Sequence, residues 1–206
     1  MSSAESQTAT RLSDEIEQWL NDEASEKTLG SLVEAFGEKS FAILFVLLLG
    51  VPALPVPTGG ATHVFEVIAA LVALQLIAGR TTVWLPQRWQ GLKLGGERQQ
   101  RFLNSLMRFI RRLERFSRPR LAFVFHHRLS DVVFGLIVIA GSVAAFVAPP
   151  FSGLDTLPAL GVVLVSLGML LEDALIALAG AILGIVGVAL EIVLGAAAVH
   201  GVESLL

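Results

Sequence analysis

The chain has 206 residues, 54% of them hydrophobic, and a mean hydropathy of +0.71. This composition lies far outside the range of soluble globular domains and predicts an integral membrane protein. The net charge of −3 hides an acidic N-terminus and a basic centre, and the absence of cysteine excludes disulfides, thiolate nucleophiles and iron–sulfur clusters.

The first forty residues carry nine acids and are predicted to form a water-exposed arm. Apolar side chains recur at helical spacing over 12–20 and 29–36, which predicts two short amphipathic helices. Gly30 and Gly37 are the expected stops, and Ser13 is the expected cap. The arm is either an interfacial or regulatory element or a solvated tail packed loosely on the membrane domain.

A first apolar hairpin is predicted at 41–79. As one helix, the stretch 41–56 would reach roughly 24 Å, short of the roughly 30 Å hydrocarbon core. Prolines shorten it further, because each removes a backbone donor, so the regular helix should end near Gly50. The predicted helix breaks of the chain are Pro52, Pro55, Pro57, Pro149 and Pro150. A second apolar helix is expected over 61–78. The hairpin is therefore either re-entrant or an ordinary two-span hairpin with a Pro-rich external turn.

The second half repeats this plan at an offset of 93 residues, which sets Pro57 against Pro150. A helix over 132–148, a break and a returning helix over 157–171 form a second predicted hairpin. The run 174–199 is the longest apolar stretch and can span a membrane unaided. Its glycine stripe, on which another helix can pack, is a candidate homodimer contact or an intramolecular seam. The stripe consists of Gly180, Gly184 and Gly187.

The connector between the hairpins is strongly basic. Twelve of the fifteen Lys and Arg residues lie between Arg80 and Arg128, where only Glu97 and Glu114 oppose them. This excess places the connector in the cytoplasm by the positive-inside rule. Phe102, Leu106, Phe109, Leu113 and Phe116 form one apolar stripe, which predicts a helix lying flat on the membrane. The arginines on its other faces are expected to contact anionic lipid, not nucleic acid: Arg98, Arg101, Arg108, Arg111, Arg112 and Arg115.

Ionisable residues within apolar runs are costly and are the candidates for function. Glu66 lies one turn after His63, and Asp155 follows the second break, so His63, Glu66 and Asp155 form a candidate transport or proton site. The alternatives are that the first two merely meet water at a hairpin mouth and that Asp155 caps a helix. Glu191, deep in the last helix, requires a partner, a proton or a helix kink.

The adjacent acids Glu172 and Asp173 are expected to pair with cytoplasmic arginines. They are also the acid pair that a membrane-embedded enzyme acting on lipid-linked sugar would require. Neither catalytic residues, a metal site nor a cofactor is predicted, because a His and a Glu three apart supply only two ligands and no phosphate loop or nucleophile elbow is present.

The run LQLIAGR…VWLP at 74–86, the run RRLERFSRPR at 111–120 and the Pro-broken helix near the start of each half resemble the ExoD family of bacterial membrane proteins. The resemblance implies an inner-membrane protein that supports exopolysaccharide synthesis and alkaline tolerance. It implies no established reaction, and therefore no catalytic residue.

Together these features predict an all-α integral membrane protein of the bacterial inner membrane, multi-pass, with two Pro/Gly-broken hairpin repeats, a basic amphipathic interfacial helix and a C-terminal spanning helix. The predicted segments are the arm 1–40 and the membrane domain 41–206, divided into 41–79, 80–130, 131–173 and 174–199. The leading hypothesis is transport of a proton, an ion or a lipid-linked intermediate. The alternatives are a non-catalytic scaffold that binds polysaccharide-synthesis proteins and a membrane-embedded enzyme acting on lipid-linked sugar.

Overall fold

The computed structural model describes residues 11–22, 26–54, 62–91, 97–120, 122–125, 127–148 and 153–203. Throughout these ranges the regular structure is helical, which confirms the all-α prediction. The helices, in chain order, are α1 Leu12–Asn21, α2 Leu29–Phe36, α3 Ser40–Gly50, α4 His63–Ile77, α5 Gln87–Gln90, α6 Glu97–Phe116, α7 Ala122–Phe125, α8 Arg128–Val147, α9 Thr156–Leu170 and α10 Ala174–Glu203.

The chain divides into two compact units, each built from two separated stretches. The first unit combines the described residues up to 35 with those from 85 to 117. The second unit, which we call the helical bundle, combines the described residues of 36–84 with those from 118 onward.

In the first unit, hydrogen bonds between the buried Ser13 and Glu114 join α1 to the basic helix α6. The Ser13 backbone N–H and hydroxyl donate to the two Glu114 carboxylate oxygens at 2.9 and 2.5 Å. The sequence predicts Ser13 as the helix cap, and that prediction was wrong, because Ser13 lies inside α1. Arg11 holds the cap position without a side-chain hydrogen bond.

The helix stops in the N-terminal stretch follow the sequence prediction only in part. Gly37 ends α2 with a φ of +50°, a backbone conformation that side chains disfavour. Gly30, the other predicted stop, lies inside α2, so that prediction was wrong. A Cβ at Gly30 would lie 3.1 Å from Gln90 Cβ. The residue is therefore small because α2 and the α5 segment approach closely.

The buried face of α6 is rotated from the predicted stripe. Met107 and Ile110 are almost fully buried, whereas Phe116, a member of the predicted stripe, is 74% exposed. The helix ends at Phe116 because Pro119 follows closely and disfavours helix in the residue before it.

At the centre of the bundle is α3, in which ten of eleven residues are buried. It ends at Gly50, as the prolines predicted. A helix that is apolar all round must be covered on every side, and α3 packs on α9 and α4. Phe45 also meets Phe134 of α8 edge to face, with 5.4 Å between ring centres.

Small residues set the helix packing of the bundle. On α8, Gly135 admits Ile77 and the Ala73 carbonyl of α4. A Cβ at Gly180 would lie 2.5 Å from the Val165 backbone nitrogen of α9. The predicted glycine stripe is therefore occupied by α9 of the same chain, the intramolecular alternative, and the homodimer stays a prediction.

Two of the described helices, Arg128–Val147 and Ala174–Ala197, are long and apolar enough to cross a membrane, whereas His63–Ile77 and Thr156–Leu170 are apolar but shorter. Large side chains of α4, α8 and α10 are exposed, Leu74, Leu136 and Ile185 among them. Apolar surface of this extent requires a lipid or protein cover.

Candidate functional site

The first two predicted site residues contact each other directly. Glu66 is 1% exposed, and its Oε2 lies 2.8 Å from Nδ1 of the partly exposed His63. Both side chains project from the first turns of α4, one turn apart on one face. The second carboxylate oxygen, Oε1, is buried without a hydrogen-bond partner. A buried acceptor without a partner costs free energy, so this position must be explained by what it binds.

Helix packing brings the end of α8 to the start of α4. The Phe146 ring lies 5.0 Å from the His63 ring. Ser142 is one turn earlier on the same face of α8, which places it by helix register at the level of Glu66. Ser142 is fully buried, and its hydroxyl also has no hydrogen-bond partner.

Asp155 lies at the start of α9, in the N-cap position, but its side chain makes no cap hydrogen bond. The predicted capping alternative is therefore not realised. One turn into α9, Pro158 packs against the position of Gly187 on α10, at 2.7 Å from a Cβ built there. Because α9 and α10 are antiparallel, the next turn of α10 brings Glu191 opposite Asp155.

Glu191 is the residue that sequence reasoning left outside the site. Its carboxylate interacts electrostatically with those of Asp155 and Glu66, and its buried Oε1 has no hydrogen-bond partner. The helix α10 is continuous through this position. The signal in the sequence was the residue type itself, since Glu191 is the sole ionisable residue between Ala174 and Val199.

Two helix N-termini, those of α4 and α9, begin beside this group of residues, which we call the acidic cluster: His63, Glu66, Asp155 and Glu191. Helix N-termini carry partial positive charge and stabilise nearby carboxylates. Among the residues that the structure describes, no three His, Asp or Glu side chains approach closely enough to hold a metal ion together.

Of the predicted helix breaks, only Pro52 falls in the described ranges, where it is buried. Pro55, Pro57, Pro149 and Pro150 lie outside the described residues.

At the opposite end of the bundle, Asp173 anchors the connector. Its Oδ2 accepts a hydrogen bond from the Arg118 backbone at 2.9 Å and lies 3.6 Å from the Arg120 guanidinium, and its Oδ1 accepts from the Leu175 backbone at 3.0 Å. Burial raises the pKa of Asp173, but these hydrogen bonds and the Arg120 charge outweigh it and lower the pKa below its ordinary value.

This anchoring confirms the expected pairing of Asp173 with an arginine. The same contacts occupy both carboxylate oxygens of Asp173, which is one of the two acids that the enzyme hypothesis required.

An apolar groove of about 770 Å³ lies between α8, α9 and α10 at this same end. Val133, Met169 and Leu178 line it, and His127 and Arg128 are at its rim. The Arg128 guanidinium also donates to the Ile77 carbonyl at 2.9 Å. Its lining is apolar except for these two basic side chains and Ser130.

On α6, the described arginines of the predicted lipid surface are exposed. Arg111 lies 3.1 Å from Glu17 of α1, an exposed pair that contributes little stability. Arg108 donates to Ser105, and Arg112 and Arg115 face solvent. The side chains of Arg98 and Arg101 lie outside the described residues.

Comparison with known proteins links the chain to one family. The family model described as "Exopolysaccharide synthesis, ExoD" matches residues 12–193. An uncharacterized protein of Synechocystis sp. is 33% identical over 168 residues, which cover 81% of this chain and 78% of that protein. Protein ExoD of Rhizobium meliloti is 31% identical over 149 residues, 72% of this chain and 62% of its own length. No solved structure matches.

Proposed function

Since this chain belongs to the ExoD family, we propose that it is a multi-pass protein of the bacterial inner membrane that supports exopolysaccharide synthesis and alkaline tolerance by transport through the acidic cluster. The transported species is a proton, an ion or a lipid-linked intermediate.

One observation carries the transport proposal. The buried Glu66, whose Oε1 has no hydrogen-bond partner, lies where the short apolar helices α4 and α9 begin. Glu66 is 1% exposed and lies in the first turns of α4. Intramembrane acids are expensive and are retained where they bind or relay charge. Short helices that begin at a break, with their N-termini beside a polar site, are the arrangement many transporters use.

Helix length supports re-entrant hairpins in this proposal. At 1.5 Å per residue, α4 and α9 each reach only about 22 Å and α3 about 16 Å, against a hydrocarbon core of about 30 Å. Irregular backbone at membrane depth needs protein around it. The burial of ten of the eleven α3 residues and of Pro52 supports that arrangement for the first hairpin.

The pairing of helices supports two related repeats. The first hairpin comprises α3 and α4, and the second comprises α8 and α9. The pairs α4 with α8 and α3 with α9 both pack together. Exchanging the two hairpins converts one of these pairs into the other, as expected for repeats related by a pseudo-two-fold axis.

The apolar groove supports the lipid-linked form of the substrate. Its wall can hold a hydrocarbon chain, and Arg128 and His127 lie where an anionic head group would be. The basic end of the bundle then faces the cytoplasm, and the α6 arginines contact anionic lipid there.

The test is the Glu66→Gln variant in a bacterium that lacks its own copy of the gene. Gln keeps the shape of the side chain but removes the charge and the proton-binding site. We expect polysaccharide output and growth at alkaline pH to fall while membrane levels of the protein stay normal. Glu34→Gln, which removes an exposed acid of α2, is the matched control and should behave as wild type.

Wild-type output and growth from Glu66→Gln at normal protein levels would remove the cluster from the mechanism. Under that outcome the scaffold hypothesis becomes the better one. It has its own support, because the exposed Arg112 and Arg115 on α6 offer a charged face to a partner protein. Changing both to Gln should then reduce polysaccharide output although the acidic cluster is intact.

A further inference from the structure

We propose that the apolar groove continues along the bundle and binds one lipid phosphate whose single hydrocarbon chain is longer than one leaflet of the bilayer, as in a long polyprenyl phosphate. The inference rests on the lipid-linked form of the proposed function and deepens it, because it names the chain and the head group of the ligand. The acidic cluster takes no part in this site.

The first step is that a second groove adjoins the apolar groove. This far groove encloses about 430 Å³ and is lined by the middle of α8, the first half of α9 and the middle of α10. Ile137 and Ala181 line both grooves, so the two meet end to end. Together they follow α10 from Ala174 to Ile192 and lie wholly within the helical bundle.

The length of this path distinguishes one class of lipid from another. From Ala174 to Ile192 the helix α10 rises about 27 Å. The hydrocarbon core is about 30 Å thick, so one leaflet accounts for about 15 Å of it. An ordinary acyl chain ends near the midplane and would fill only the apolar groove. A chain that fills both grooves has to cross the midplane, which requires the length of a polyprenyl chain.

The shape of the far groove suits a flexible chain. Its floor is α9, where Gly161 and Val162 are buried. A Cβ at Gly141 would lie 2.3 Å from Val162 Cγ2, so α8 packs directly on this floor. Ala140 of α8 and Ala189 of α10 are exposed in the walls and are small, which leaves the trough between the helices open. An apolar trough offers water no hydrogen bonds, and a hydrocarbon chain fills it.

The charge of the lining places the phosphate at one end. The charged side chains that line the two grooves are His127 and Arg128, both at the start of α8. The Ile77 carbonyl accepts one of the five guanidinium donors of Arg128, which holds the guanidinium at the rim with further donors for a phosphate. Hydrogen bonds between arginine and phosphate are charge-assisted and strong. The buried Asp173 at this end does not line the groove and already pairs with Arg120.

A second copy of this chain fits the same surface less well than a lipid does. Copies in one membrane share an orientation, so a two-fold axis between them runs along the membrane normal and sets each patch against its own counterpart at the same depth. The basic rims of the two copies would then face each other beside an apolar seam, where like charges repel strongly. An anionic lipid instead neutralises the rim.

Native mass spectrometry of the purified full-length protein in detergent tests the proposal. The protein is offered an equimolar mixture of undecaprenyl phosphate, farnesyl phosphate and phosphatidylglycerol, and the mass identifies which lipid is retained. Farnesyl phosphate has the head group with a chain that fills only the apolar groove, and phosphatidylglycerol has the charge with chains of leaflet length. We expect one undecaprenyl phosphate per chain, bound at least about tenfold more tightly than either of the others.

Variants of the far groove separate chain binding from head-group binding. Ala140→Phe fills the far groove and should weaken undecaprenyl phosphate binding by at least about fivefold while leaving farnesyl phosphate binding unchanged. Ala179→Phe is the matched control, because it adds the same ring at an exposed position of α10 that lines neither groove. It should leave the binding of both phosphates unchanged.

Variants of the rim test the head group. Arg128→Gln should weaken the binding of both phosphates by about tenfold, and Arg128→Lys, which keeps the charge, should weaken it less. Arg112→Gln, which removes an exposed charge of α6 away from the grooves, should have no effect. Where Arg128→Gln does not fold, His127→Gln tests the same rim.

Equal retention of the three lipids overturns the proposal, as does an Ala140→Phe protein that discriminates among them as the wild type does. A dimer that retains none of the three lipids overturns it in favour of a second copy. Selective retention in a protein whose Glu66→Gln variant gives wild-type polysaccharide output would reject transport through the acidic cluster but keep the lipid site. Lost output in Glu66→Gln with no lipid retained would reject the lipid site alone.

Discussion

The strongest single-residue anchor in the bundle is Asp173, because one buried carboxylate fixes two segments. It receives the Leu175 N–H at the start of α10, as a helix cap does, and the Arg118 N–H from the connector. Its backbone lies beside that of Arg120, with the Arg120 N–H donating to the Glu172 carbonyl at 3.1 Å. Loss of this carboxylate therefore releases both the cap and the connector.

Asp173→Asn is expected to lower the free energy of unfolding by about 1–3 kcal/mol. The amide keeps one acceptor oxygen, but its NH₂ would face a backbone N–H that donates to the carboxylate in the native protein. The pKa of Asp173 is lowered in the folded state from the ordinary value of 3.8. Its stabilising contribution is therefore complete above that value and is lost as the pH falls through the lowered native pKa. Unfolding in mild detergent, followed by circular dichroism from pH 7 to pH 3, measures the difference between the two proteins.

The difference should narrow once the pH drops below about 4. A difference that stays constant down to pH 3 would mean that the ionised form of Asp173 is not what stabilises the fold.

At the same scale, the sequence could predict part of the acidic cluster and not all of it. His63 and Glu66 lie one turn apart on a single helix, so spacing alone places them together. Glu191 comes within electrostatic range of Glu66 only through the packing of distant helices, and single-sequence periodicity contains no information about such pairing. Asp155 was found because it follows a helix break.

Among the elements, the contact between α9 and α10 depends most on missing side chains. A Cβ at Gly161 would lie 2.5 Å from the Gly184 Cα, and one at Gly168 would lie 2.4 Å from the Ala177 backbone nitrogen. Backbone atoms cannot move aside as a flexible side chain can, so the two helices would have to separate. Close backbone approach of this kind replaces the hydrophobic driving force that is lost within a membrane.

Gly161→Ala is expected to destabilise the bundle by about 1–3 kcal/mol, the usual cost of overpacking a tight contact. Gly195→Ala is the matched control on α10, because nothing lies within 4 Å of a Cβ at that position. The control should be neutral or slightly stabilising, since Ala favours helix over Gly. Thermal unfolding of both variants in the same detergent compares them. Equal midpoints for the two would show that the seam does not depend on the glycine.

Helix existence and ends were largely predictable, whereas the faces that helices bury were not. Prolines act within a few residues, so the end of α3 at Gly50 could be inferred from Pro52. The buried face of α6 could not, because it depends on which helix packs against it. The acidic α1 contacts α6 through Ser13 and Glu114, a partner 101 residues away.

For the molecule as a whole, the helical bundle has two chemically distinct ends. At one end α4 and α9 finish and α8 and α10 begin, and Arg120, Arg128 and Asp173 lie there. At the other end the acidic cluster lies among helix starts. A membrane distinguishes such ends, because basic flanks stay on the cytoplasmic side. In the orientation proposed above, the acids lie at the depth that α4 and α9 reach from the cytoplasmic side, about 22 Å.

This depth yields a prediction about access that the absence of native cysteine makes simple to test. Leu54 follows α3, which reaches only about 16 Å, so it should lie below the outer surface of the bilayer. In spheroplasts, the Leu54→Cys variant should resist a membrane-impermeant maleimide added outside and react after denaturation. Gly91→Cys, at an exposed position of the connector, should react only when the inner face is opened. Free labelling of Leu54→Cys from outside would replace the re-entrant first hairpin with one that spans the membrane, and would move the acidic cluster to the outer surface, where solvent could reach it.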